Sequence, residues 1–203
     1  MVNIKERRWK NEHLALLAVL ETEWGAKTES FEKDRQFNIR GYDSVEDLYP
    51  GTRFHRLDHT WDLTVQDCPV AGGSSFESSD DVEYWQLSTS VSHDTKLHFH
   101  MGPGRPLNRM RSFFGLRTGI STGVPEIDDS HEIIVSSKES LRFVQSPSFI
   151  EYIKPLLPVH GLRVKDRGLY YNLPINSKTD FALSIIEDMM TRLLTFAKIL
   201  PRY

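Results

Sequence analysis

The hydrophobic period changes twice along this chain, and that change decides the class of fold it can adopt. Near the start Trp9, Leu16, Leu17, Leu20 and Trp24 recur at the spacings of a helix face. Through the middle the period falls to two: Trp61, Leu63 and Val65 alternate with Asp62, Thr64 and Gln66, and Trp85, Leu87, Thr89 and Val91 share one side. The helical period returns at the end, where Ala182, Ile185, Ile186, Met189, Leu193, Phe196, Ala197 and Leu200 form one stripe, closed by Pro201. Strands bracketed by helices, without β-α-β alternation, predict an α+β fold: a mainly antiparallel sheet with N-terminal and C-terminal helices packed on it. At 203 residues the chain can bury a core of its own, and residues 1–203 are read as a single α+β domain.

Local signals divide this frame. A helix is expected over Asn3–Gly25, then a polar connection over Ala26–Asp34, with strand alternation starting at Phe37, Ile39 and Gly41. Tyr49-Pro50-Gly51 predicts a turn leading into one strand, Arg53–Gln66, and the Ser-, Gly- and Asp-rich Asp67–Val82 predicts a long connection. Glu83–Ser92 and Lys96–Met101 are expected to pair as a hairpin. Farther on come a strand at Glu132–Ser136, helices at Ser137–Val144 and Pro147–Leu157, and a hairpin over Gly161–Leu173 turning at Asp166–Gly168. Ser177–Asp180 fits the start of the last helix.

Composition excludes some functions. A net charge of -3 does not suit a chain that binds polyanions over its whole surface. Cys68 is the only cysteine, which rules out an intrachain disulfide and any zinc site built on two thiolates. The apolar run Leu14–Leu20 is too short for a signal sequence and is closed by Glu21 and Glu23. The expected location is cytoplasmic, with a peripheral position on the inner face of a membrane left open.

Two segments carry candidate chemistry. His98 and His100 stand two apart, which on a strand puts both imidazoles on one face, as a His-x-His metal pair requires. His55 and His59, with Asp58, Asp62, Asp94 or Cys68, would complete a shell for a single divalent metal such as zinc, iron or nickel. The alternative is that these histidines lie opposite Leu97, Phe99 and Met101 and bind nothing.

The second segment runs from Lys96 to Arg117 and contains no Asp or Glu. Arg105, Arg109, Arg111 and Arg117 lie there beside Phe113 and Phe114. Such a stretch suits a protein partner, an anionic membrane surface, or phosphate and RNA through arginine contacts and aromatic stacking. Equally, the arginines can pair with Glu77, Asp80, Asp81 and Glu83 while the phenylalanines join the core. No Gly-x-Ser-x-Gly elbow, Walker loop, dinucleotide fingerprint or His-Glu-x-x-His occurs.

Thr122-Gly123-Val124-Pro125-Glu126-Ile127-Asp128 and the roughly 90 residues around and after it resemble an uncharacterised bacterial family with a Thr-Gly-Asp-Pro-Glu-Phe-Asp segment before a strand. Val124 and Ile127 depart from that pattern. The resemblance implies an α+β fold and, for some members, attachment to membrane segments. The segment itself is expected to be structural, a Gly/Pro turn that sets the next strand's register. The leading expectation is a non-catalytic interaction module, an accessory subunit of a larger assembly; a His98/His100 metal enzyme and an RNA or nucleotide binder are the alternatives.

Overall fold

The computed structural model describes residues 15–32, 48–68, 82–91, 95–104, 119–165, 167–174 and 183–201. The architecture is α+β. Residues 15–24 form helix α1, followed by strands β1 (Lys27–Glu32), β2 (Leu48–Arg56), β3 (His59–Cys68), β4 (Val82–Ser90) and β5 (Phe99–Pro103). Then come α2 (Pro125–Asp128), β6 (His131–Val135), α3 (Lys138–Val144), α4 (Pro147–Ile153), β7 (Leu162–Lys165), β8 (Gly168–Pro174) and α5 (Leu183–Ala197). Helices therefore lie between the strands as well as towards the chain ends. Among the described residues no helix is long and apolar enough to cross a membrane. The expected strand at Phe37–Gly41, most of the connection after Cys68 and the helix start at Ser177–Asp180 lie outside the described residues.

The chain forms two compact units, Met1–Leu87 with Pro174–Leu183, and Ser88–Leu173 with Ser184–Tyr203. In the first, β1, β2 and β3 pair antiparallel in sequence order. Residues 27–32, expected to be a polar connection, are a strand, because β2 supplies backbone partners all along them and Thr52 Oγ1 donates to the Lys27 carbonyl at 3.2 Å. The Tyr49-Pro50-Gly51 turn is also corrected: Pro50 stands opposite Ser30 within β2, and the register with β3 begins at Gly51. Pairing overrides the local turn preference there. The actual reversal comes at Leu57 and Asp58, both left-handed with φ of 52° and 60°, which splits the single strand expected over Arg53–Gln66.

Burial in this unit follows the alternation. Phe54, Trp61 and Leu63 are buried, with Leu17 and Leu20 of α1. Gly25, at φ of 64°, ends α1, its N–H donating to the Glu21 carbonyl at 3.1 Å. Trp24 lies 5.2 Å from the Phe54 ring, and the Arg56 guanidinium sits 5.1 Å above the indole.

In the second unit the strand order is β8-β7-β5-β6. The neighbours of β5 are β6 and β7, so the hairpin expected between Glu83–Ser92 and Lys96–Met101 does not form. A local turn signal lost to the burial of Phe99 and Met101 between two strands of later sequence. The Gly161–Leu173 hairpin, the strand near Glu132 and the helices near Ser137 and Pro147 are as expected. Ser137 and Ser146 cap α3 and α4 by accepting from the Ser140 and Phe149 backbones.

One face of this sheet carries the core. Phe99 of β5, Phe143 of α3, Phe149 of α4 and Phe196 of α5 form a closed cluster in which every pair of rings lies between 5.5 and 6.5 Å apart. Most are edge-to-face, the arrangement that aromatic quadrupoles favour. On α5 the buried positions are Ile186, Met190, Leu193 and Phe196, whereas Ile185, expected on the stripe, is half exposed.

Candidate functional site

In the second unit the opposite face of the strands holds charged residues. Cross-strand register aligns Ile134 of β6, His100 of β5, Arg163 of β7 and Tyr170 of β8 in one row. Two glycines make room for the rings. The His100 imidazole lies over Gly102, where a Cβ would come within 3.2 Å of Nε2, and the Tyr170 ring lies directly over Gly168, where a Cβ would displace it. The Arg163 guanidinium stacks on Tyr170 at 4.3 Å from its centroid, and Glu132 stands opposite Gly102. Arg163 is only 8% exposed. Burial, and then the Arg163 cation, push the His100 pKa below the usual histidine value, while Glu132 pulls the other way.

His98 and His100 both alternate with the buried Leu97, Phe99 and Met101, as the sequence spacing implies. His98 is engaged at its backbone: its N–H donates to Ser140 Oγ at 2.8 Å and its carbonyl accepts from Ser136 N–H at 3.0 Å. His55 and His59 sit in the first unit, at the β2–β3 reversal, opposite Thr60 and Arg56. Among the described residues no three His, Cys, Asp or Glu side chains form a group able to hold a metal.

The basic segment is placed only through its flanks, because Arg105, Arg109, Arg111, Phe113, Phe114 and Arg117 lie outside the described residues. One flank is bonded just before β6 and the other within it. Gly104 N–H donates to the Ser130 carbonyl at 2.9 Å on the β5 side, and Ile120 N–H donates to the Ile133 carbonyl at 2.9 Å. Successive peptide groups of a strand point to opposite edges, so Ile120 caps the outer edge of β6. No protein-family model and no curated protein matches this chain. The reading therefore rests on its own geometry.

The Thr122–Asp128 segment is a closed turn. The Asp128 carboxylate accepts from Ser121 Oγ at 2.5 Å, from Thr122 N–H and Oγ1 at 2.8 and 2.9 Å, and from Gly123 N–H at 3.1 Å. Burial pushes its pKa up, but these bonds outweigh it and hold the carboxyl below its ordinary value. Gln145, at the end of α3, donates to the Ser121 carbonyl at 3.2 Å. The turn delivers the chain into β6.

Sequence reasoning missed one pair, Ser130 and His131, whose Oγ and Nδ1 lie 2.7 Å apart. It has the look of a nucleophile beside its base, yet its proton runs the wrong way. Val159 N–H donates to His131 Nε2 at 3.0 Å, so the ring's single proton is on Nδ1 and points at Ser130. Ser130 Oγ then donates to the Glu126 carbonyl at 2.6 Å. An imidazole that donates to a hydroxyl cannot deprotonate it, so the pair joins α2, β6 and the Val159 backbone as a structural relay.

Proposed function

We propose that this chain is a non-catalytic interaction module that docks on an acidic surface of a protein partner through Arg105, Arg109, Arg111 and Arg117, as an accessory subunit of a larger assembly. The observation that carries this reading is that both flanks of the basic stretch are anchored close together, Gly104 on Ser130 just before β6 and Ile120 on Ile133 within it. Anchored flanks fix where the chain enters and leaves the stretch that carries the arginines. The commitments of Asp128 and of the Ser130–His131 relay support binding over catalysis, since both groups are spent on the scaffold.

A peripheral position on an anionic membrane and binding to RNA rest on the same arginines and differ in how they are tested. Charge reversal at Arg105, Arg109 and Arg111, read by co-purification of partner chains, by flotation with phosphatidylserine vesicles and by RNA gel shift, separates the three. Loss of a protein partner alone supports the reading. Loss confined to vesicle or RNA binding replaces it.

A further inference from the structure

Among the described residues, three side chains hydrogen-bond the backbone of the loop from Pro155 to Val159, which begins in a 3-10 turn at Lys154–Leu156. Arg192 of α5 donates to the Pro155 carbonyl at 2.6 Å, and the Tyr171 hydroxyl is within 3.2 Å of the Leu156 carbonyl and 3.4 Å of the Pro158 carbonyl. The third is His131, whose Nε2 accepts from Val159 N–H. Burial pushes the Tyr171 phenol up to about 12, well clear of neutrality. His131 is the one hold of the three that titrates there.

We propose that His131 is an acid-released latch: a proton added at Nε2 turns the acceptor facing Val159 N–H into a donor, breaks that bond and frees this end of the loop. The neutral ring suits its surroundings, with Nδ1 beside Ser130 Oγ and Nε2 accepting from Val159 N–H; a backbone bond to Ile127 favours the cation, but burial outweighs it. The cationic ring sets an N–H against an N–H. It also stands near His160, the residue after Val159, so protonation of either imidazole opposes protonation of the other. The remaining ionisable groups on the elements packed against the ring do not replace the lost bond. Asp128 is occupied by Ser121, Thr122 and Gly123, Glu126 and Asp129 are exposed, and His100 of β5 is on the opposite face of the sheet.

The first measurement is the tautomer of the His131 ring in the intact protein, read from its nitrogen chemical shifts at about pH 8. The Nδ1–H form is expected; the Nε2–H form would overturn the latch. The second is hydrogen-exchange protection of the Val159 amide, followed from about pH 8 to about pH 4.5 beside the ring titration. Protection is expected to fall about tenfold in step with ring protonation, while the Met101 and Val164 amides in the β5–β7 pairing keep theirs. His131→Gln, whose side-chain oxygen reaches as far as Nε2 but does not titrate, is expected to keep Val159 protected throughout. Constant Val159 protection in the wild type, or the same loss in His131→Gln, sinks the proposal, and the wild-type readings decide it if that variant does not fold.

Discussion

His100 on β5 stands directly opposite Arg163 on β7, a titratable imidazole set beside a buried arginine. Burial first and Arg163 second lower its pKa, and burial lowers those of His131 and His160 as well. In each case the unfolded chain takes up the proton before the folded one does. Stability is therefore complete above the unfolded value of about 6.5 and falls as pH drops from there towards the lowered folded values. Urea midpoints measured across that window should decline on acidification, and His100→Gln should shrink the decline. An unchanged decline in the variant would remove His100 from the cause.

The four-phenylalanine cluster carries the second unit's core. Phe149→Ala removes a fully buried ring that touches the other three, and should cost about 3–5 kcal/mol in denaturant unfolding, with Phe149→Leu well below that. A loss under about 1 kcal/mol would mean that the cluster is not packed as described.

Asp128 closes its turn by accepting four hydrogen bonds. Asp128→Ala leaves the Thr122 and Gly123 N–H groups without this acceptor and should destabilise by about 2–3 kcal/mol. Because the folded carboxyl lies below its ordinary value of 3.8, its contribution is present above that pH and is lost as pH falls through the lowered value. The Asp128→Ala penalty, measured by urea unfolding, should accordingly shrink in strong acid.

Period and capping made much of the second unit legible. The Gly161–Leu173 hairpin, the helices after Ser137 and Ser146 and the buried face of Phe99 and Met101 all follow from short-range pattern. What failed were choices settled by distant partners. Residues 27–32 look like a connection until β2 lies beside them, and Pro50 looks like a turn until Ser30 stands opposite. The charged face was visible only as two histidines. Arg163, Tyr170 and Glu132 come from strands far along the sequence, and register alone brings them to His100 and Gly102. The Ser130–His131 pair left no signal, since its meaning depends on the Val159 N–H 28 residues away.

Leu57 and Asp58 hold the β2–β3 reversal with left-handed backbones, which aspartate tolerates and leucine disfavours. Replacing them with Asn-Gly, the pair best suited to such a turn, should stabilise the protein by about 1 kcal/mol and raise Tm by a few degrees. An unchanged or lower Tm would show that the exposed Leu57 side chain contributes more than its backbone costs.

The interaction reading stands or falls on the arginines between Gly104 and Gly119. The most direct test compares the wild-type chain with the Arg105→Glu, Arg109→Glu, Arg111→Glu variant, both first shown to unfold at the same urea midpoint, and identifies the proteins that co-purify with each. The expected result is a partner chain retained by the wild type and lost by the variant. An identical set of co-purifying chains would contradict a docking role for this segment.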